Sequence, residues 1–410
     1  AQLLSAVDSN VFHSKGNLNN LFGMPLSIFT IPETAKVAVM EMGISKPGEM
    51  TRLTQIVAPD IAVVTNVAAS HLEYLGSVDG VAKEKLEMVR LAAPNVPVIV
   101  NADDPVLMRH VKTYRSNPVT FGFSKEATIH PDSYEIQSDG SSLIVIEGSQ
   151  FHVPLLGRHY AYNLLTAYAV AKTLGYSFNS VDTKSIQFST APMRGQSIYV
   201  GGITFIADCY NSNPQSLKAG LEAFSVVKTT DRKILIIGDM LELGEEEAEL
   251  HREIGASLGS FVCDAAIFVG PLSRKMGESA IEAGLSKQKV QFFADAVSCA
   301  AAMKQFLQAD DVAYLKGNSN VVSSTVSTFI DNLRVQPVQV YHLPHCRCDG
   351  DGDYHLYAPR AVHYPAFEET SVERNDSHRR SAESSGESRN TDDGRIDYLC
   401  RNHDSYIIVG

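Results

Sequence analysis

The sequence predicts an α/β protein with two domains, each built on a mainly parallel sheet, followed by a polar C-terminal tail. Three observations support this prediction. Short runs rich in Val and Ile alternate with longer amphipathic stretches, the pattern of parallel sheets covered by helices. A turn-rich stretch that ends at Pro192 divides the series in two. Lysine usage also changes abruptly, because residues 1–335 hold all 17 Lys and residues 336–410 hold none.

Composition narrows the class of protein further. The chain has 410 residues, of which 44% are hydrophobic and 20% charged, so it can bury a sizeable core. Its net charge of -12 argues against a nucleic-acid partner bound through a basic surface. We find neither an apolar run of about 18 residues nor a secretory leader, which predicts no membrane insertion. Six Cys in such a long chain favour a reducing compartment, so we expect a cytoplasmic protein that acts on small molecules. We also expect a monomer.

The first domain is expected to span residues 1–191. Its strands are predicted at Val37–Met42, Ile61–Asn66, Val96–Asn101 and Val119–Phe123. Its clearest helices are predicted at Lys83–Leu91 and Tyr160–Leu174, and a hairpin at Ser142–Ile146 and Phe151–Leu155.

The second domain is expected to span residues 192–335. A two-residue Gly-Gly turn predicts a hairpin of Ser197–Val200 with Ile203–Ala207. Further strands are predicted at Lys233–Ile237, Ala265–Val269, Val290–Phe293 and Asp311–Leu315. Helices are predicted at Pro214–Val227, Glu245–Leu258, Ser273–Ala283, Ala296–Leu307 and Val321–Leu333. This βα alternation is typical of a Rossmann-like domain.

Residues 336–410 are predicted to form a disordered tail. The stretch from Glu368 to Gly394 is polar and almost free of aliphatic residues, so it cannot bury enough surface to offset ordering entropy. The nearby group His342, His345, Cys346 and Cys348 lacks the paired Cys spacing of structural zinc sites. We therefore expect that removing the tail leaves the melting temperature unchanged.

Polar residues follow the predicted strands, at the edge where open α/β sheets bind ligands. In the first domain Glu41, Asn66 and His71 lie in these positions, and in the second domain Asp208 and Lys316 do. Asn, Asp and Gly also make good turns, but Glu, His and Lys do not, so the whole set indicates a site. Spacing alone leaves open whether Lys85 belongs to this site or is a solvated helix charge like Lys83.

Nine motifs in order across residues 1–333 resemble the Mur ligases, and within them the branch that adds D-alanyl-D-alanine. The motifs in the first domain are Lys15-Gly-Asn-Leu-Asn-Asn-Leu-Phe-Gly-Met-Pro-Leu, Glu41-Met-Gly-Ile-Ser-Lys-Pro-Gly-Glu, Thr65-Asn-Val-Ala-Ala-Ser-His-Leu-Glu-Tyr-Leu-Gly-Ser, Asn101-Ala-Asp-Asp-Pro and Gly157-Arg-His-Tyr-Ala-Tyr-Asn. Those in the second are Met193-Arg-Gly, Asp208-Cys-Tyr-Asn-Ser-Asn-Pro, Gly238-Asp-Met-Leu-Glu-Leu-Gly and Lys316-Gly.

The resemblance implies an ATP-dependent ligase of peptidoglycan precursor synthesis. ATP would phosphorylate the carboxylate of a UDP-N-acetylmuramoyl-tripeptide, and the amine of D-alanyl-D-alanine would attack the acyl phosphate to form an amide. Two Mg2+ ions would neutralise phosphate charge. The resemblance further implies that Lys85 is carbamylated by CO2, which needs a lysine with a lowered pKa.

The resemblance assigns roles to individual residues. The implied metal ligands are Glu41, His71 and carbamylated Lys85, and the implied catalytic residues are Lys85, His71 and Lys316. The implied ATP contacts are Asn20, Asn163, Arg194 and Asp208. The implied contacts to the other substrates are Asn17, Asn211 and Asn213.

One family motif is missing. A P-loop reads G-x-x-x-x-G-K-[ST], and no Gly-Lys-Ser or Gly-Lys-Thr occurs in these 410 residues. The resemblance therefore predicts a P-loop-type central domain truncated before its phosphate loop, without the N-terminal UDP-binding domain, and with little activity alone. Two alternatives stay open: a non-catalytic remnant that binds a ligand or partner, and a sibling ligase that acts on another amino acid or on folate-type glutamate.

Overall fold

The computed structural model describes residues 1–318, apart from residues 138, 139, 192, 228 and 230, together with residues 406–409. The predicted helix Val321–Leu333 and most of the predicted tail lie outside these residues. Among the described residues, no helix is both long enough and apolar enough to cross a membrane.

The first domain is built on a sheet of six described strands, all of them parallel. Its strands are β1 (Val11–His13), β2 (Val37–Met40), β3 (Ile61–Val64), β4 (Val98–Asn101), β5 (Val119–Phe121) and a C-terminal strand that we call βC (Tyr406–Val409). Their order across the sheet is β1, β2, βC, β3, β4, β5. The predicted parallel sheet is therefore confirmed.

Helices cover both faces of this sheet. They are α1 (Gln2–Ser5), α2 (Gly23–Phe29), α3 (Glu49–Val57), α4 (Leu72–Leu75), α5 (Val78–Leu91), α6 (Pro105–Val111) and α7 (Arg158–Thr173). Helix α5 begins earlier than the apolar pattern predicts, because the Ser77 side chain caps it by accepting a hydrogen bond from the Gly80 amide at 3.1 Å. The predicted hairpin is present and gains a third strand. Its strands are β6 (Ser133–Ile136), β7 (Ser142–Ile146) and β8 (Ser149–Val153).

Strand βC corrects the prediction of a wholly disordered tail. It lies between β2 and β3 and pairs in parallel with both. Its side chains alternate between the two cores, with Ile407 and Val409 on the face covered by α3, α5 and α6 and Ile408 on the face covered by α7. The composition argument was wrong for these four residues because Tyr-Ile-Ile-Val is an apolar, β-branched run inside a polar segment.

The second domain has the predicted βα series. Its strands are β9 (Gln196–Val200), β10 (Ile203–Asp208), β11 (Lys233–Gly238), β12 (Ala265–Val269), β13 (Val290–Phe293) and β14 (Val312–Lys316). Its described helices are α8 (Pro214–Val226), α9 (Glu247–Ser257), α10 (Pro271–Glu282) and α11 (Ala296–Phe306). The order is β13, β12, β11, β14, β10, β9, and only the β9–β10 hairpin is antiparallel. Gly201 and Gly202 make its turn with positive φ angles.

Candidate active site between the two domains

The carboxyl edge of the first sheet carries two of the predicted site residues. Glu41 follows β2, and Asn66 lies just beyond the end of β3. Since βC lies between these strands, two strand spacings of about 4.8 Å each separate the ends of β2 and β3, or about 10 Å. The loops that follow β2 and β3 therefore begin about 10 Å apart at the same edge of the sheet.

Glu41 is exposed at this edge and is oriented by its neighbours. The Asn19 side-chain amide donates to Glu41 Oε1 at 3.0 Å. A Cβ at Gly43 would lie 2.9 Å from the Asn19 side chain and displace it, and the Gly43 amide donates to the Asn19 carbonyl at 2.8 Å. The carboxylate is thus held in place while it remains open to solvent.

Lys85 lies close to Asn66 on the inward side of α5. Its Nζ donates to the Asn66 carbonyl oxygen at 2.8 Å. Burial lowers the pKa of the Lys85 ammonium, and the nearby Asp104 carboxylate opposes that shift. Lys83, two residues earlier, is exposed. The structure therefore separates the two lysines that spacing alone could not.

His71 lies in the loop after β3 and contacts the second domain. Its φ angle is 55°, in the left-handed region. Its Nδ1 lies 2.5 Å from Glu242 Oε2, in the loop that follows β11. The backbone carbonyl of Glu242 also accepts from the Leu72 amide at 3.0 Å. Two hydrogen bonds from one residue therefore join the domains beside a predicted site residue.

A buried polar cluster lies at the carboxyl edge of the second sheet. Lys316 Nζ lies 3.0 Å from Asp208 Oδ2 and 3.1 Å from the Asn211 carbonyl, to which it donates. The Tyr314 hydroxyl also donates to Asp208 Oδ2 at 3.0 Å. Burial, with the Asp208 charge, raises the pKa of Tyr314, so it stays a hydrogen-bond donor. The structure thus brings together Asp208 and Lys316, which the sequence predicts in separate roles.

The remaining predicted contacts divide into two groups. Two asparagines use their side chains to bond local backbone amides: Asn20 Oδ1 accepts from the Gly23 amide at 2.9 Å in the turn before α2, and Asn213 Oδ1 caps α8 by accepting from the Ser216 amide at 2.8 Å. The other predicted contacts are exposed, namely Asn17, Asn163, Arg194 and Asn211. The guanidinium of Arg194 lies 4.3 Å from the centre of the Tyr210 ring, a position that favours a cation–π contact.

Comparison with known proteins supports the Mur ligase resemblance independently of the geometry described above. Residues 1–171 match the model of the Mur ligase middle domain, and residues 193–319 match the model of the Mur ligase glutamate ligase domain. The chain is 30% identical over 315 residues to the UDP-N-acetylmuramoyl-tripeptide–D-alanyl-D-alanine ligase of Bacillus subtilis, covering 75% of this chain and 67% of that protein. This chain belongs to the Mur ligase family.

Solved Mur ligase structures share the fold. The MurF ligase of Thermotoga maritima in complex with ADP superposes with a TM-score of 0.68 at 26% identity, covering 81% of this chain and 76% of that one. MurF of Acinetobacter baumannii superposes with a TM-score of 0.70 at 23% identity, covering 80% and 73%. This Mur ligase chain spans 60–67% of the length of the first curated relatives that it matches.

One of the predicted magnesium ligands, Glu41, offers the oxygen donor that this metal prefers. Among residues 1–318 and 406–409 as described, no three His, Cys, Asp or Glu side chains form a group able to hold a metal. Mg2+ does not need such a group, since it binds one or two protein ligands together with water and substrate phosphates. Exposed, oriented Glu41 suits that role, and His71 keeps Nε2 available because Nδ1 faces Glu242.

Sequence reasoning assigned no role to His159, which lies at the start of α7 beside the cluster around Asp208. Its ring lies 4.2 Å from that of Tyr160, and its Nδ1 is buried without a hydrogen-bond partner among the described residues. Burial lowers the pKa of His159 to about 4. The only sequence signal for His159 was its motif, Gly157-Arg-His-Tyr. Its burial and its proximity to the second domain cannot be predicted from the neighbouring residues in the chain.

This low pKa predicts a loss of stability in acid. Between pH 6.5 and 4 the unfolded chain binds a proton at His159 that the folded protein does not, so the free energy of unfolding falls as pH decreases. We expect His159→Gln to reduce that fall by about 1–3 kcal/mol in urea unfolding at pH 4.5 and 7. The matched control is His13→Gln, at an exposed histidine. An unchanged pH dependence in His159→Gln would contradict this assignment.

Proposed function

We propose that this chain carries the amide-forming machinery of an ATP-dependent, cytoplasmic ligase that joins D-alanyl-D-alanine to a UDP-N-acetylmuramoyl-tripeptide. The observation that carries the proposal is Lys85, a lysine whose pKa burial lowers, at the sheet edge that also holds Glu41. A lysine that served only as a solvated charge on the helix surface would not need to lie at this edge of the sheet. The names of the curated relatives supply the substrates, and the ADP complex of the Thermotoga maritima relative supplies the nucleotide.

In the proposed reaction the tripeptide carboxylate attacks the γ-phosphorus of ATP, and ADP leaves. The amine of D-alanyl-D-alanine then attacks the acyl phosphate, loses a proton, and expels phosphate as the amide forms. Bound Mg2+ would supply neutralisation of phosphate charge, held by Glu41, by His71 Nε2 and by carbamylated Lys85.

Further residues of both domains complete the proposed site. Lys316 is buried and already positioned by Asp208 and the Asn211 carbonyl, so its charge can face the reacting phosphoryl group without a cost of ordering.

The proposed nucleotide contacts are Arg194, which is exposed and lies over the Tyr210 ring, and Asn163, which is also exposed. Exposed Asn17 and Asn211 are proposed substrate contacts. Since Asn20 holds the turn before α2 and Asn213 caps α8, we propose that they act by fixing the loops around the ligands.

Phosphate release tests the proposal. With ATP, UDP-N-acetylmuramoyl-tripeptide and D-alanyl-D-alanine together, we expect release that requires the dipeptide and stops in Lys316→Ala. The rate should be far below the typical enzymatic value of about 10 per second, because no P-loop sequence is present in the 410 residues. Phosphate release at the same rate with and without the dipeptide would contradict the proposal. Release with glutamate or another amino acid instead would indicate a sibling ligase, and no release with any substrate would favour a binding remnant.

A further inference from the structure

Two non-glycine residues with left-handed backbones meet where the domains touch. The φ angles are 55° for His71 and 60° for Glu242. Such conformations are uncommon outside glycine, and they persist where the surrounding structure fixes them, often at functional sites. The contact between His71 and Glu242 therefore indicates a functional role for these two loops beyond connecting their strands to the next element.

The second domain presents Glu242 on a well-anchored loop. The buried Asp239 carboxylate accepts from the Ser273 amide at 2.6 Å. The Met240 amide donates to Nε2 of buried His251 at 3.0 Å, and the His251 Nδ1 donates to the Glu247 carbonyl at 2.6 Å. The loop is thus tied to two helices of its own domain on one side of Glu242, so the carboxylate position follows the position of the whole domain.

On the other side of Glu242 the loop docks on the start of α4. Gly244 has a φ angle of 69°, and a Cβ there would lie 3.4 Å from the Glu73 amide nitrogen. The contacts therefore involve only residues 71–73 of the first domain and residues 242–244 of the second. The contact is local and specific rather than a diffuse surface.

We propose that Glu242 is a positioning residue for His71. Its carboxylate accepts the Nδ1 proton of the imidazole, fixes the ring orientation, and leaves the Nε2 lone pair directed away from the second domain. Carboxylate–histidine pairs act in this way where histidine binds a metal or a reacting group. Because Glu242 belongs to the other domain, the tautomer of His71 reports whether the domains are docked. This inference deepens the proposed function and rests on it for the role of Nε2.

Nitrogen-15 NMR of the ring nitrogens tests this without any substrate. In the full chain labelled at histidine, with His71→Gln used to assign the signals, we expect wild-type His71 to be protonated at Nδ1. Glu242→Ala should shift the tautomer toward Nε2 and speed hydrogen exchange of the Leu72 amide at least threefold. Glu242→Gln, which keeps an acceptor without the charge, should give an intermediate result. Glu245→Ala, at an exposed glutamate of the same loop, is the matched control.

An unchanged His71 tautomer together with unchanged Leu72 exchange in Glu242→Ala overturns the inference. The test is independent of catalysis, so it separates two failures. If the tautomer shifts but no ATP-dependent phosphate release occurs in the wild type, the domain contact stands and the proposed function does not. Where turnover is measurable, Glu242→Ala should lower kcat/KM about 10- to 100-fold, the range for such supporting carboxylates.

Discussion

Ending the chain after residue 405 will lower the melting temperature of the first domain by at least about 10 °C, or prevent its folding. Strand βC buries Ile407, Ile408 and Val409 almost completely. At about 1.5–3 kcal/mol for each side chain, their burial contributes about 5–9 kcal/mol, which is comparable to the whole stability of a typical domain. This expectation replaces the prediction from composition that removing the tail is harmless.

The position of βC makes the effect larger than its length suggests. In the described residues, β2 and β3 do not pair with each other, and each pairs with βC. Without βC the sheet is divided in the middle, at the edge that carries Glu41 and Asn66. The domain then loses both its continuous core and the geometry of the candidate site.

Two matched variants test this account by calorimetry. A chain that ends after Val409 keeps the strand and should melt like the full protein. Asp60→Ala should give a smaller loss of about 1–3 kcal/mol, because the Asp60 carboxylate accepts from the Ile407 amide at 2.8 Å. Equal melting temperatures for the chains ending at 405 and 409 would show that βC does not support the sheet.

Lys85→Ala will abolish carbamate formation and reduce turnover by about 100-fold or more, the scale seen when one stabilising group is lost from a site. Only a neutral amine reacts with CO2, and burial lowers the pKa of Lys85 from its usual 10.5. The carbamate fraction should therefore rise with pH through that lowered pKa, and reach its plateau at a lower pH than for an exposed lysine.

Carbon-13 NMR after equilibration with labelled bicarbonate measures this directly. We expect one carbamate signal, absent in Lys85→Ala and retained in Lys83→Ala. Lys83 is the matched control because it is exposed on the same helix, two residues away. A signal that survives Lys85→Ala, or that disappears in Lys83→Ala, would remove Lys85 from its proposed role.

The contrast between these lysines illustrates what residue spacing alone could not decide. Two residues along a helix differ by about 200° in direction, so one of the pair faces inward and the other outward. Which of them faces inward depends on how α5 packs against α3 and the sheet. That packing pairs residues far apart in sequence, as in the hydrogen bond that the Met50 amide donates to buried Glu84.

Sequence alone proposed the candidate site residues but not their partners. Asp208 and Lys316 are 108 residues apart, and His71 and Glu242 are 171 apart, so no local pattern signals either pair. The local roles of Asn20 and Asn213 were visible in principle, because asparagine is among the best helix-capping residues and also bonds backbone amides in turns. The family motifs instead drew attention to ligand binding at both positions.

The sequence by itself determined the alternation of strands and helices and the family, because apolar periodicity and ordered motifs are local properties. Only the tertiary structure decided that Tyr406–Val409 is a strand inside the first sheet, that Lys85 is more buried than Lys83, and that Glu242 contacts His71. The physical reason is the same in each case. Burial, pKa shifts and strand pairing depend on which distant segments lie side by side, and the free energy that selects those neighbours comes from the whole core.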